Sequence, residues 1–194
     1  MRKTLLMLAM LAMLAPGLVF AEQSLDLNLS GDAIRGEFSS DTGLLPNSNG
    51  KLSFGGLYSD DDNADFTMGH LGLLVTGDAG ARNALVNAGL GVRLVGLDVN
   101  GGDANGGAVA LGGAVDARLP AFNRIGLGAY LYYAPDVSAF GDIDKFLEYA
   151  ANINYELIRN AYVYVGARQV RLGFDPGSEM SVDTGAHAGF HLKF

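Results

Sequence analysis

The sequence lacks cysteine and tryptophan, and it has few basic residues. Without cysteine the chain has no disulfide, no thiolate ligand for a metal and no attachment site for a lipoprotein anchor. Its 13 lysines and arginines are outnumbered by 21 aspartates and glutamates, which gives a formal net charge of -8. Since proteins hold nucleic-acid phosphates with lysine and arginine, this balance argues against a nucleic-acid partner.

Long apolar runs are confined to the N-terminus. Two basic residues after Met1 precede an apolar run over residues 5–14, and a small-residue cleavage pattern follows at residues 19–21. This order is typical of a secretory signal peptide, and the run is too short to cross a bilayer as a helix. We therefore predict a cleaved signal peptide over residues 1–21 and a single exported domain over residues 22–194.

The remaining sequence alternates with a two-residue period, in short segments separated by turn signals. One row of each segment is apolar. The opposite row is rich in glycine, of which the chain has 28, and it carries charges of both signs. Such a row suits a narrow lumen better than a water-facing surface, so the apolar row is expected to face lipid. The predicted fold class is an all-β, antiparallel, up-and-down transmembrane barrel in a bacterial outer membrane.

The connections between these segments alternate in character. Those over residues 78–83, 119–124 and 158–160 are short and nearly free of acidic residues, whereas those over residues 59–65, 98–107, 134–142 and 175–183 are longer and acidic. Outer-membrane barrels have short periplasmic turns and longer extracellular loops. The sequence therefore predicts that the acidic segments lie on the extracellular side.

Eight strands can be counted back from Phe194 to Leu52, which leaves residues 25–40. Gly31 and Asp32 form a recognised signal for a two-residue hairpin turn, which would divide this segment into two further strands. The turn would pair Leu29 with Ile34, Leu27 with Gly36, and Leu25 with Phe38. Ten strands result, with residues 41–50 as a periplasmic turn. Because the two added strands fall short of the roughly 9–11 residues that cross a membrane, eight strands with a non-spanning N-terminal segment is the alternative.

The last strand has an apolar face formed by Ala186, Ala188, Phe190, Leu192 and Phe194. Ending on an aromatic residue is unusual for a strand that frays into water, but it suits a strand that ends at a membrane interface. The segment resembles the signal that the outer-membrane assembly machinery binds. Phe190, Leu192 and Phe194 are therefore predicted to carry that signal.

The candidate functional residues lie on the lumen-facing row. They are Arg93, Asp116, Arg118, Arg124, Glu148, Glu156, Arg168 and the three histidines His70, His187 and His191. In a narrow lumen these side chains would pair with one another and fill the interior, because unpaired buried charge is costly. The alternative is a charged constriction that makes a narrow pore selective for small solutes or ions.

The sequence predicts no metal or cofactor site. His187 and His191 would lie about 13 Å apart at about 3.3 Å per residue, too far to share one ion. Residues 60–65 and 98–105 offer oxygen ligands, but Val109 stands where a calcium loop would end on glutamate. Diffuse contact with divalent ions beside anionic lipopolysaccharide remains as an alternative.

No enzymatic activity is expected either. The chain has no His-x-Ser and no Asp-x-His, and neither Ser53 nor Ser59 has an evident histidine partner. An outer-membrane hydrolase that acts on lipid or peptide is kept as the alternative. We expect a monomer whose partners are outer-membrane lipids, lipopolysaccharide and the assembly machinery.

Several short segments, taken in their order and spacing, resemble the YfaZ family of Gram-negative outer-membrane proteins. They are residues 25–30, 56–63, 119–124, 132–136 and 162–168, together with the terminal Phe194. The resemblance covers essentially all of residues 22–194 and implies an outer-membrane barrel. It implies no activity, cofactor or catalytic residue.

Overall fold

The computed structural model describes residues 22–42, 49–61, 64–80, 85–99, 104–174 and 178–194. The predicted signal peptide over residues 1–21 lies outside this range, and so do parts of the acidic segments proposed to contact divalent ions. None of the helical structure within the described ranges is long and apolar enough to cross a membrane.

The described chain forms eleven strands. They are β1 (Gln23–Leu29), β2 (Ala33–Thr42), β3 (Asn49–Asp61), β4 (Ala64–Asp78), β5 (Leu85–Val99), β6 (Ala104–Leu119), β7 (Phe122–Ala134), β8 (Ala139–Gly141), β9 (Ile143–Ile158), β10 (Ala161–Phe174) and β11 (Ser178–Lys193). A short 3-10 turn at Asp136–Ser138 precedes β8.

Ten of these strands close into one antiparallel barrel. Each pairs with its neighbours along the chain, with β7 passing directly to β9, while β1 pairs with β11 to close the ring. Among the described strands, the three-residue β8 is hydrogen-bonded only to β6. The predicted all-β barrel of ten strands is thereby confirmed.

The N-terminal hairpin has the predicted register. Leu29 pairs with Ile34, Leu27 with Gly36 and Leu25 with Phe38. The Ser30 amide donates to the Ala33 carbonyl at 2.9 Å, which closes the turn around Gly31 and Asp32. A two-residue turn holds the strands in this register because its own twist matches theirs.

The barrel has an acidic end, which carries the acidic connections, and a terminal end, where the described chain begins and ends. At the acidic end lie residues 30–32 and 135–142; there β3, β5 and β10 end, and β4, β6 and β11 begin. At the terminal end lie residues 120–121 and 159–160 and both ends of the described chain; there β2 and β4 end, and β3 and β5 begin. The segments predicted as acidic loops are in large part extensions of β3 to β6, β10 and β11, so these strands rise well beyond the short hairpin β1–β2.

The apolar row faces outward, as predicted. Leu90, Leu111 and Val165 are 80%, 67% and 62% exposed, whereas the inward neighbours Arg93 and Ala110 are almost fully buried. Because strand side chains alternate between the two faces, this assigns every other residue of a strand to the interior, except at the bulge of β11, where the adjacent Val182 and Asp183 are both buried.

The interior has an apolar layer at the acidic end, which the sequence analysis did not predict. Leu57, Phe66, Met68, Val95 and Phe146 are each no more than 2% exposed and belong to one packed cluster. The lumen is therefore filled there by aliphatic and aromatic side chains. The polar interior expected from the sequence begins below this layer.

Candidate functional site: the charged interior

The most buried charged group is Glu148, which points inward from β9 and has no exposed surface. It accepts a hydrogen bond from Arg93 Nη1 at 2.8 Å, another from the Tyr130 hydroxyl at 2.8 Å, and a third from Arg35 Nη1. Arg35, on β2, and Arg93, on β5, are themselves almost fully buried. Two positive side chains from different parts of the ring therefore converge on one carboxylate.

A second carboxylate, Glu37, balances this cluster. Its Oε2 atom lies 3.3 Å from Arg35 Nη2, 3.0 Å from His70 Nε2 and 3.8 Å from Arg93 Nη2. The Arg93 guanidinium also lies over the Tyr132 ring, 4.0 Å from its centroid. Two arginines and two glutamates are thus held together, which satisfies the requirement that buried charges be paired and hydrogen-bonded.

A separate chain of hydrogen bonds crosses the seam between β1 and β11. Arg168 Nε donates to Asp183 Oδ2 at 2.6 Å, and Arg168 Nη1 donates to Asn28 Oδ1 at 2.8 Å. Tyr164 donates to Asp26 Oδ1 at 2.5 Å and accepts from Asn28 Nδ2 at 3.0 Å. These contacts tie β1, the shortest of the ten barrel strands, to β10 and β11.

A third pair lies towards the terminal end. Arg118 Nη1 donates to Glu156 Oε2 at 2.7 Å, and its guanidinium lies over the Tyr162 ring. Both charged side chains are about a quarter exposed. Asp116 and Arg124 were also predicted to belong to the lumen network, but both are exposed, and neither side chain forms an ion pair or a hydrogen bond with another described residue.

The three histidines occupy three different surroundings. His70 contacts Glu37, and His191 Nδ1 lies 3.3 Å from Asp26 Oδ2. His187 is buried, with its ring edge-on to Tyr164. Within the described ranges no group of three or more histidine, aspartate or glutamate side chains is arranged to hold a metal ion.

The inner face changes in accessibility along the barrel axis. Near the terminal end Asn152, Asn154 and Glu156 keep part of their surface exposed, although they point inward. At the level of Glu148 and Arg93 the inward side chains are almost fully buried, and the apolar layer lies beyond them towards the acidic end. Among the described residues, the interior along β9 is therefore partly accessible near the terminal end, a region called the vestibule, and it is blocked further along by a charged layer and then an apolar one.

Sequence reasoning did not select several residues of this interior, among them Arg35, Glu37, Asp26, Asn28 and Asp183. Four of them lie on β1 and β2, whose status as spanning strands was open. The signal was nevertheless present, because these residues alternate with the leucines and with Ile34, Gly36 and Phe38 of the predicted hairpin. Once the hairpin is accepted, its second row must face the lumen.

The two ends of the described chain meet beside this interior. Gln23 and Phe194 exchange both backbone hydrogen bonds, at 2.9 and 2.8 Å, and the Phe194 ring lies beside Phe38. Lys193 contacts Glu22 at 3.0 Å. The hydrogen bond from Lys193 lowers the pKa of the Glu22 carboxyl below its usual value.

Comparison with known proteins identifies a family and finds similar solved chains. No curated protein matches the chain. A solved chain from work described as "Unveiling the Mechanism Behind the in-meso Crystallization of Membrane Proteins" is similar at 9% identity and a TM-score of 0.45, over 90% of this chain and 83% of that one. The model of the family described as "YfaZ precursor" matches residues 2–194. The chain therefore belongs to the YfaZ family.

Proposed function

We propose that this protein is an integral outer-membrane barrel whose lumen is closed, with a structural role instead of an open-pore role. One observation carries the proposal: the outward row is apolar around the ring, while the inward row is packed and charge-paired. A soluble barrel has the opposite arrangement, with its bulky apolar side chains inside.

The height of the outward apolar surface supports a membrane-spanning role. On β11 the outward residues are apolar from Phe194 up to Ala186, and the next one, Thr184, is polar. The eight residue steps from Ala186 to Phe194, at a rise of about 3.3 Å per residue, span about 26 Å along the strand. With the strand tilted by about 40°, this corresponds to about 20 Å along the barrel axis. This approaches the band of about 25 Å found on outer-membrane barrels.

Further observations support the proposed export and orientation. The family description names a precursor, which agrees with removal of the predicted signal peptide over residues 1–21. An exported protein that crosses a membrane only with strands belongs in the outer membrane of a Gram-negative cell. The terminal end, with its two-residue turns at 120–121 and 159–160, then faces the periplasm.

The closed lumen argues against free diffusion of solutes. A solute that entered the vestibule would have to separate Glu148 from Arg35 and Arg93 and then displace the apolar layer. Breaking a buried ion pair costs about 3–5 kcal/mol. A narrow ion pore is therefore the less favoured role, and a conducting state would need the interior to rearrange.

Three measurements test the proposal. The detergent-extracted protein should migrate faster before boiling than after it, and it should remain with the membrane fraction when cells are lysed without detergent. Refolded protein in planar bilayers should give no steady discrete conductance. Release into the soluble fraction would refute the membrane location, and regular single-channel steps would refute the closed lumen.

We also propose that the barrel has no hydrolytic activity. His70 has a carboxylate partner on Nε2, but its Nδ1 has no hydrogen-bond partner among the described residues. A nucleophile must lie within hydrogen-bond reach of its base. Purified barrel should therefore leave lipid A, phospholipids and a peptide library unchanged, and turnover of any of these would overturn the proposal.

A further inference from the structure

Two basic residues on the outer surface are not explained by the barrel itself. Eight of the ten described lysines and arginines have an evident place in the barrel. Four point inward and form ion pairs: Arg35, Arg93, Arg118 and Arg168. Four lie at the terminal end: Lys51, Arg124, Arg159 and Lys193. Lys145 and Arg171 remain. Both are exposed and point outward near the acidic end, on the adjacent strands β9 and β10.

Arg171 is held in place by neutral neighbours. The Gln169 amide, oriented so that its oxygen accepts, takes hydrogen bonds from Arg171 Nε at 3.0 Å and from Nη2 at 3.2 Å, while its nitrogen contacts the Tyr149 hydroxyl. A guanidinium has five donors in a rigid fork, so this arrangement leaves donors unused. They are fixed on the outer wall without a carboxylate partner among the described residues.

Lys145 lies next to it. Lys145 pairs with Gly173 across β9 and β10. The Lys145 Cβ atom lies 3.2 Å from the position that a Cβ atom on Gly173 would occupy, so the aliphatic part of Lys145 covers the glycine. Arg171 pairs with Leu147, two residues along β9, which makes Lys145 and Arg171 diagonal neighbours on one face. Such neighbours lie about 7–8 Å apart, close enough for two long side chains to meet one anion.

The position of the pair relates it to lipid headgroups. Tyr133 is outward and exposed where the apolar surface of β7 ends, and Tyr149 is outward and exposed next to Leu147, the last outward apolar residue of β9 towards the acidic end. Aromatic residues of this kind lie at the membrane interface. Arg171 stands one outward position above Gln169, and Lys145 one above Leu147, so both lie where headgroup phosphates are found.

Charge complementarity distinguishes these residues from the rest of the acidic end. That end bears Asp60, Asp98, Asp142, Asp144 and Glu179 among its described residues, and these repel a phosphate. Glu179 pairs with Gly173 from the other side and is therefore a diagonal neighbour of Arg171, but it forms no ion pair with Arg171 or Lys145. Lys145 and Arg171 are the outward cations that the described part of this end presents to an anionic lipid.

We propose that Lys145 and Arg171 form a docking site for the phosphate of a phosphorylated glycolipid in the outer leaflet. The proposal rests on the outer-membrane function proposed above. The oriented guanidinium supplies two directed hydrogen bonds, and the ammonium neutralises the remaining charge. The neighbouring apolar surface receives the acyl chains.

The test uses refolded full-length mature barrel in detergent, with bisphosphorylated lipid A as the probe and EDTA present to remove bridging metal ions. Binding is measured by native mass spectrometry for the wild type and for the double variant Lys145→Gln/Arg171→Gln. The matched control is Arg124→Gln/Arg159→Gln, which removes the same charge at the terminal end. Heat-modifiable migration verifies that each protein is folded.

We expect the double variant to bind lipid A about 30-fold more weakly, about fivefold for each charge removed, and the control to bind like the wild type. Dephosphorylated lipid A should bind the wild type as weakly as lipid A binds the double variant. Equal losses in both variants, or no loss in the first, would overturn the site. Failure of the wild type to fold in detergent or to fractionate with membranes would instead refute the proposed function.

Discussion

Replacement of Glu148 by glutamine tests the charged layer directly. The change keeps the size of the side chain but removes the charge that faces Arg35 and Arg93, both almost fully buried. Breaking a buried pair by neutralising one partner costs about 3–5 kcal/mol, since the other charge stays buried. Because Glu37 remains 3.3 Å from Arg35 and 3.8 Å from Arg93, the lower limit applies, and we expect a loss of about 3 kcal/mol in the free energy of unfolding.

The matched control is Glu156→Gln, which neutralises the partner of Arg118 in a pair about a quarter exposed. An accessible pair of this kind contributes less than about 1 kcal/mol. Urea unfolding from phospholipid vesicles, followed by far-ultraviolet circular dichroism because the chain has no tryptophan, measures both variants. Equal losses in the two variants, or a loss below about 1 kcal/mol for Glu148→Gln, would refute the charged layer as a stabilising element.

Two further predictions concern close packing on β6 and the closure of the barrel at Phe194. Gly112→Ala should prevent folding or lower the free energy of unfolding by more than about 2 kcal/mol, because the new methyl group would meet the Leu131 carbonyl and the Tyr132 ring. The control Gly96→Ala should leave the free energy of unfolding unchanged, because no atom lies within 4 Å of the position its new methyl group would take. Deletion of Phe194 removes both hydrogen bonds to Gln23, so the heat-modifiable fraction should fall; an unchanged fraction would refute a role in barrel closure.

The sequence was sufficient for the wall of the barrel but not for its interior. The hairpin register follows from Gly31 and Asp32 because a two-residue turn leaves only one pairing. By contrast, Arg35 and Glu148 lie 113 residues apart and meet across the lumen. Which strands face one another there depends on strand tilt and stagger, which local alternation does not encode.

The apolar layer was missed for a different reason, which β4 illustrates. On the terminal-end side of β4, the outward residue Leu71 is apolar and its inward neighbour His70 is polar. On the acidic-end side, the outward residue Thr67 is polar and its inward neighbour Met68 is apolar. The alternation therefore reverses its sense partway along the strand. The charged layer lies at this reversal, and beyond it the barrel is built like a soluble one, with its apolar side chains inside.

This reversal predicts where lipid ends on the outer wall. Thr67 and Leu71 both point outward and are both exposed on the isolated barrel, about 13 Å apart along β4 at about 3.3 Å per residue. The absence of native cysteine allows single replacements to be labelled without background. In intact cells a membrane-impermeant maleimide should label Thr67→Cys but not Leu71→Cys, and in detergent-free denatured protein it should label both. Labelling of Leu71→Cys in cells would place the boundary lower and refute the assignment, since only lipid, and no protein contact, protects that position.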